Sequence, residues 1–179
     1  MIDFSQWTLD KVRDEYSNMQ WIEERRFEWT PLVKNVVNNI SNGFTYIIIS
    51  DDSKNWLVEY LSQTLNKTAN TSRPFLPFID GNKIYSKFVV DIKDSEGIEL
   101  FEDMLSLSYS SGYAFFYVGK GSSAMATIAK RNNNSFIWIT DESIPNSFEL
   151  DSEDEYMDTK LVQLSNLFNQ SIDCLLFET

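Results

Sequence analysis

The alternation of apolar and polar positions divides the chain into short, almost wholly apolar runs and longer segments with helical spacing. Residues 44–50 (FTYIIIS), 113–118 (YAFFYV) and 135–140 (SFIWIT) are rich in β-branched and aromatic side chains. Runs this short and this apolar predict strands that are buried on both faces. Two more strands are predicted at 74–79 (PFLPFI), where the prolines favour a sheet edge, and at 173–177 (DCLLF).

Helical spacing fills the segments between these strands. Apolar residues recur with the helical period in residues 4–28. Thr30-Pro31 then predicts a second helix start, because threonine caps helices and proline fits the first turn. This second helix is predicted to stop at Ser41-Asn42-Gly43. Further helices are predicted at 53–69, 95–108, 122–131 and 159–171.

The alternation of strands with helices indicates the fold class. Five strands in such an order predict an α/β fold, a five-stranded parallel sheet with helices on both faces. A chain of 179 residues has the size of one ordinary domain with a core of its own. We therefore predict a single α/β domain over residues 1–179, with an N-terminal helical segment over residues 4–42.

Composition and charge narrow the classes of function. With 42% hydrophobic and 15% aromatic residues, the chain is too apolar for a disordered protein. Its net charge of −12 repels nucleic-acid phosphates and anionic membranes, so direct binding of DNA or RNA is not expected. No apolar run approaches the roughly 18 residues of a membrane span, and the first residues (MIDFSQWTLDKVRDE) lack the apolar core of a signal peptide. A cytoplasmic protein is expected.

The inventory of reactive side chains is small. Cys174 is the only cysteine, so neither an intramolecular disulfide nor a thiolate zinc site is expected. The sequence has no histidine, which removes the commonest general base and every Ser-His or Cys-His nucleophile system. We expect no catalytic residues, no metal and no cofactor, although carboxylates such as Glu142 leave acid–base chemistry open.

One glycine-rich segment has the pattern of a phosphate-binding turn. It lies between a predicted strand and a predicted helix and consists of Gly119, Lys120, Gly121, Ser122 and Ser123. Followed by Ala124, it fits the dinucleotide pattern G-x-G-x-x-A, with Asp141 about twenty residues on, where that pattern places an acid for the ribose. The fingerprint normally lies on the first strand, however, whereas this turn follows the third predicted strand. A phosphate could instead bind to backbone amides near the helix N-terminus, with Lys120 adding positive charge.

The same segment resembles the middle of sugar-phosphate isomerase (SIS) domains, which bind phosphate through serine-rich turns at strand ends. Those domains place a glycine-serine turn after the first strand, where this chain has Asp51-Asp52. Each of these carboxylates would repel a phosphate by roughly 1 kcal/mol in water at contact distance. Two interpretations stay open for residues 119–123: a vestigial phosphate-binding loop, and a strand-to-helix turn without a ligand.

Longer motifs over essentially the whole chain resemble the HobA family of the epsilon-proteobacteria. They are WTLD at 7–10, MQWIEERRFEWTP at 19–31, RPFLPF at 73–78, LFEDMLSLSYSSGYAFFYVGK at 100–120, NSFIWITDE at 134–142 and KLVQLSNLFNQSIDCLLF at 160–177. The resemblance implies a SIS-type fold and a non-catalytic protein that forms dimers and tetramers. It also implies binding to the N-terminal domain of the replication initiator DnaA and promotion of DnaA assembly at the chromosomal origin, with DNA contacted only indirectly.

The resemblance also implies a partner-binding site. In DiaA, a SIS-fold relative with the same role, a Leu-Phe pair near the C-terminal end contacts the initiator. The matching residues here are Leu176 and Phe177, which are therefore expected to bind the partner. A sugar-phosphate binding protein or isomerase of the SIS class stays as the alternative function.

The aromatic residues of the N-terminal helices bear on oligomeric state. Phe4, Trp7, Trp21, Phe27 and Trp29 are more than one helix pair needs for a core, and exposed apolar patches usually mark interfaces. They predict a homo-oligomer, built as a tetramer of symmetric dimers. In the alternative interpretation, all of these side chains pack on the sheet.

Overall fold

The protein forms a parallel sheet that confirms the predicted fold class. The computed structural model describes residues 3–15, 19–67, 73–85 and 94–177. Within these residues the strands are β1 (Thr45–Ser50), β2 (Phe78–Asp80), β3 (Tyr113–Gly119), β4 (Phe136–Ile139) and β5 (Ser147–Glu149). They lie in the order β2-β1-β3-β4-β5, and every neighbouring pair is parallel.

Helices connect the strands. Their bounds are α1 (Phe4–Glu15), α2 (Gln20–Ser41), α3 (Asn55–Thr64), α4 (Ser95–Ser108), α5 (Ala124–Arg131) and α6 (Met157–Phe177). A short 3-10 turn (Asp52–Lys54) precedes α3, and residues 81–85 are also helical. The predicted helix at 95–108 is confirmed residue for residue, and 122–131 begins two residues later than predicted. No helix in the described ranges is long and apolar enough to cross a membrane.

The strands alternate their side chains between two apolar layers, one on each face of the sheet. In β1, Tyr46 and Ile48 face the layer formed with α1, α2, α3 and α6. Ile47 and Ile49 face the layer formed with α4 and α5. Because successive side chains of a strand point to opposite faces, burial on both sides accounts for the continuous apolar runs.

The predicted C-terminal strand at 173–177 is wrong. These residues are the last turns of α6, which runs without a break to Phe177. The buried positions Leu161, Leu164, Phe168 and Ile172 carry a helical stripe into this segment, so the apolar run DCLLF continues a helix. A short apolar run does not by itself distinguish a strand from a buried helix end.

The fifth strand is β5, which the apolar pattern did not predict. Only Phe148 of its three residues is buried, while Ser147 and Glu149 flank it on the edge of the sheet. A three-residue strand with one apolar side chain is too short to produce a detectable alternation. The other edge strand, β2, is likewise shorter than the predicted 74–79, and its edge position is confirmed.

The N-terminal helices also differ from their predicted bounds. α1 ends at Glu15 and α2 begins at Gln20, so the single helix predicted over residues 4–28 is wrong. Residues 16–18 lie outside the described part of the chain. Thr30 and Pro31 lie inside α2 and do not start a helix. Pro31 is tolerated there on an exposed face, at the cost of one backbone hydrogen bond.

Most of the N-terminal aromatic residues belong to the core. Phe4 and Trp29 are fully buried, and Trp7 and Trp21 pack against the same layer. Phe27 alone of the five is largely solvent-exposed, at 66%. The surplus of aromatic residues is therefore explained by packing on the sheet for four of the five side chains. Oligomerisation stays a prediction, with Phe27 as its remaining support from this set.

Candidate functional site

The carboxyl ends of the strands are where a sheet with this order would bind a ligand. From β1 the chain continues to β2 on one side of it, and the next strand, β3, lies on the other side of β1, which makes the β1–β3 boundary a topological switch point. Open α/β sheets bind ligands in the crevice at such a point. Three segments meet there: Asp51 after β1, residues 119–123 after β3, and Asp141 after β4.

The glycine-rich turn leads from β3 into α5. Gly119 ends the strand with a φ of 144°, a conformation that side-chain-bearing residues rarely adopt. Ser123 caps the helix, and its side-chain oxygen accepts a hydrogen bond from the Ala126 amide at 3.0 Å. The predicted arrangement of strand, tight turn and helix is therefore present.

The amides of this turn are held by carboxylates of the protein itself. The Lys120 amide donates to Oδ2 of Asp51 at 2.7 Å, and the Gly121 amide donates to Oδ1 of Asp141 at 2.6 Å. The second oxygen of Asp51 accepts from the hydroxyl of Ser53 at 2.6 Å and from the amide of Lys54 at 3.1 Å. Neither the Lys120 nor the Gly121 amide is available to a ligand in this arrangement.

The carbonyl groups of the turn are also occupied. Nζ of Lys130 donates to the Gly121 carbonyl at 2.8 Å and pairs with the carboxylate of Glu142. The Tyr117 hydroxyl donates to the Lys120 carbonyl at 2.6 Å and lies 2.7 Å from the Ser123 hydroxyl. Burial raises the pKa of Tyr117, with the carboxylate of Asp51 adding to the shift, so this hydroxyl keeps its proton at neutral pH.

The surroundings of the turn disfavour a free anion. A cleft of about 600 Å³ opens at the carboxyl ends of β4 and β5. Its charged lining consists of one cation and four carboxylates: Arg25, Glu28, Asp141, Glu149 and Asp151. Arg25 is already bonded to Glu28 and to the carbonyl of Glu149. Like charges at short range repel, so this cleft is unfavourable for a phosphate.

The vestigial phosphate loop at 119–123 thus stays a prediction. The geometry favours the second interpretation, a strand-to-helix turn without a ligand.

Among the described residues, no group of three or more His, Cys, Asp or Glu side chains could hold a metal ion. In the sequence, one acid directly follows each of the apolar runs that flank the turn, Asp51 after 44–50 and Asp141 after 135–140. Their hydrogen bonds to the turn, and the contact of Lys130 with it, were not predicted.

The expected partner-binding residues lie elsewhere, at the end of α6. Leu176 is half-buried and packs against the core layer shared by α2 and α6, whereas Phe177 is 47% exposed. Because consecutive residues of a helix are about 100° apart, Leu176 and Phe177 lie on different parts of the helix surface. Of the pair, Phe177 is the more exposed side chain.

These features define an α/β protein with the strand order 2-1-3-4-5, in which the protein's own side chains fill the usual ligand-binding edge. The family model described as "HobA: DNA replication regulator" matches residues 1–179. The chain therefore belongs to the HobA family of DNA replication regulators, and the resemblance found in its motifs is confirmed.

Individual relatives agree with this assignment. The DNA replication regulator protein HobA of Helicobacter pylori (strain ATCC 700392 / 26695) is 28% identical over 182 residues, covering 99% of this chain and 97% of the relative. A chain in the crystal structure of a HobA–DnaA (domain I-II) complex from Helicobacter pylori matches with a TM-score of 0.78 at 26% identity, over 99% of this chain and 98% of that chain. The crystal structure of HobA from Helicobacter pylori matches with a TM-score of 0.77 at 27% identity, over 99% and 97% of the two chains.

Proposed function

We propose that this protein is a non-catalytic cytoplasmic adaptor that binds the N-terminal domain of DnaA and promotes DnaA assembly at the chromosomal origin. The observation that carries the proposal is the match over 99% of the chain to a structure solved as a HobA–DnaA complex. Fold alone does not assign function. The proposal therefore rests on the family as well, whose members are DNA replication regulators.

The charge of the molecule supports an indirect relation to DNA. A net charge of −12 opposes the approach of the phosphate backbone, and strong DNA binding depends on the release of counterions by cationic side chains. The adaptor would therefore reach the origin through the initiator. A protein that acts on DNA through a partner needs no basic face of its own.

The site geometry supports a non-catalytic role over the sugar-phosphate alternative. The two turn amides nearest the switch point are bonded to Asp51 and Asp141, and the sequence has no histidine to open a sugar ring. A ligand that binds only the native state raises the melting temperature. A thermal-shift screen against phosphorylated sugars is expected to show no such increase, and a saturable increase would favour the alternative.

Leu176 and Phe177 are proposed to contribute to the initiator contact in different ways. Phe177 offers an exposed aromatic ring at the end of a well-packed helix, which is the kind of side chain that anchors interfaces. Leu176 packs against the core and would mainly hold the end of α6 in place. The proposal therefore assigns direct contact to Phe177 and positioning to Leu176.

The test measures binding of the DnaA N-terminal domain by calorimetry together with melting temperatures. Phe177→Ala is expected to weaken binding about thirtyfold, the effect of losing roughly 2 kcal/mol at an anchor residue, without lowering the melting temperature. Leu176→Ala is expected to lower the melting temperature, because it removes packed apolar surface. Leu107→Ala, at an 87% exposed apolar position on α4, serves as the control.

Two negative results are possible, and they reject different parts of the proposal. Normal binding by Phe177→Ala would reject this residue as an anchor while leaving the adaptor proposal intact. Absence of binding between the wild-type protein and the DnaA N-terminal domain would reject the adaptor proposal itself.

A further inference from the structure

The glycines of the turn make room for the protein's own carboxylates. A Cβ atom at Gly119 would lie 2.5 Å from Oδ2 of Asp51, and one at Gly121 would overlap the carboxylate of Glu142. In loops that bind phosphate, glycine allows the backbone to approach the ligand closely. Here the space cleared by the missing side chains is already filled.

The two carboxylates on the turn come from opposite sides of β3. Asp51 follows β1 and binds the Lys120 amide, while Asp141 lies just beyond β4 and binds the Gly121 amide. A carboxylate offers to an amide what a phosphate offers, a negative charge and acceptor oxygens. Amides directed at an anion near a helix N-terminus are a recurrent anion-binding arrangement.

We infer that Asp51 and Asp141 act as tethered anions, whose carboxylates occupy the anion positions of residues 119–123 and close this turn to phosphorylated ligands. The same contacts join the ends of β1, β3 and β4 at the switch point. The inference goes beyond the proposed function, because it concerns the turn and not the initiator contact. In this inference the glycine-rich turn serves as a clasp between strand ends.

Removing a tethered anion uncovers an anion site. Asp141 is the better residue to replace, because its carboxylate is exposed and bonds to the turn through the Gly121 amide. Asp51 also caps the 3-10 turn through the Lys54 amide, so its loss disturbs a second feature. After replacement of Asp141, the Gly121 amide is left without its acceptor, while Lys130 stays bonded to the Gly121 carbonyl and to Glu142 and so holds the turn in place. A small anion can then take the position of the lost carboxylate.

The experiment supplies the missing carboxylate from solution. Asp141→Ala is compared with the wild type in sodium formate and in sodium chloride at equal ionic strength. Asp94→Ala is the matched control, since Asp94 is likewise an exposed acid whose carboxylate accepts from one amide, that of Gly97 at 2.9 Å. Melting temperatures are recorded, and the amide resonance of Gly121 is followed by NMR during the formate titration.

Both variants are expected to melt about 2–4 °C below the wild type, as a domain of this size does when about 1 kcal/mol is lost. Formate should restore part of the lost melting temperature in Asp141→Ala but not in Asp94→Ala. It should also shift the Gly121 resonance of Asp141→Ala in a saturable way. The double variant Asp51→Asn with Asp141→Ala, which keeps a capping side chain at 51, should show a saturable shift with inorganic phosphate.

Three results would overturn the inference. In the first, formate raises the melting temperature of Asp141→Ala no more than that of Asp94→Ala. In the second, the Gly121 resonance of Asp141→Ala does not respond to formate. In the third, the turn of the wild-type protein responds to formate or phosphate as strongly as the turn of the variants does. The last result would mean that the carboxylates do not close the turn. None of these results depends on initiator binding, so the inference and the proposed function fail separately.

Discussion

At the scale of single residues, the buried environment of Tyr46 controls the pKa of its hydroxyl. Its ring is fully buried in β1, and its hydroxyl accepts from Nδ2 of Asn39 at 3.0 Å and donates to the Asn134 carbonyl at 3.2 Å. Burial raises the pKa of Tyr46 to about 12, although the hydrogen bond from Asn39 opposes the shift. The folded state thus holds this proton more tightly than the unfolded state does, where the pKa is about 10.

Stability is therefore expected to fall at alkaline pH. Between about pH 10 and pH 12 the unfolded chain loses the Tyr46 proton while the folded protein keeps it, so the free energy of unfolding decreases by about 2–3 kcal/mol over that range. Urea unfolding at several pH values measures this. Tyr46→Phe should remove that part of the decrease and cost about 1 kcal/mol near neutral pH, because Asn39 loses its acceptor.

The Tyr46 prediction is tested by how steeply the free energy of unfolding falls with rising alkaline pH in the wild type and in Tyr46→Phe. Burial also raises the pKa values of Tyr85 and Tyr117, so the Tyr46→Phe variant should retain a shallower alkaline decrease. Equal slopes for the two proteins would show that Tyr46 does not contribute.

The two glycines of the turn are expected to differ in their tolerance of alanine. Gly119 has a φ of 144° and meets the Asp51 carboxylate, which is itself held by other hydrogen bonds. Gly119→Ala should therefore lower the free energy of unfolding by about 1–3 kcal/mol. Gly121 has no positive φ, and the added Cβ there meets the Glu142 side chain, which can make room by giving up its partly exposed ion pair with Lys130. Chemical denaturation should give a smaller loss for Gly121→Ala, and the reverse order would contradict this account.

At the scale of elements, Arg73 connects the segment before β2 to α6. Its guanidinium lies 2.6 Å from the Asp173 carboxylate and 2.6 Å from Oδ1 of Asn169, and it also contacts the Leu65 carbonyl beyond α3. The Arg73 side chain is only 8% exposed. Three elements of the same layer are therefore held by one buried cation.

Arg73→Ala is expected to destabilise the protein by about 2–3 kcal/mol, since removing one partner leaves buried acceptors unpaired. Lys83→Ala is a suitable control, because its side chain is 65% exposed and pairs with Glu59 and Asp80 at the surface. Exposed pairs contribute about 0–1 kcal/mol. Urea denaturation of both variants measures the difference, and equal losses would rule out the fastening role of Arg73.

At the scale of the whole molecule, the proposed adaptor role leads us to expect oligomerisation. Several copies of one binding site on one particle organise partner molecules by multivalent binding. Light scattering is expected to detect a homo-oligomer, a tetramer of symmetric dimers, and Phe27→Glu is expected to weaken it by placing a charge at an exposed apolar position on α2. A single species of 20.8 kDa at micromolar concentration would contradict the prediction.

The sequence alone determined the central part of this fold. The predicted strands at 44–50, 113–118 and 135–140 correspond to β1, β3 and β4. They could be recognised because a strand buried on both faces needs apolar side chains at nearly every position. The helix at 95–108 was predicted equally well, because its apolar residues recur with the helical period. Long local motifs identified the family, and the missing histidine narrowed the chemistry before any contact was known.

Only the tertiary structure decided the edges and the role of the turn. Whether 173–177 continues a helix or forms a strand depends on the surface it packs against, and a three-residue strand such as β5 exists through its pairing with β4. The glycine-rich turn has the same local pattern with or without a ligand. Asp51 and Asp141 lie 69 and 20 residues from the amides they bind, and such contacts depend on how the strands are ordered in the sheet, which no local pattern encodes.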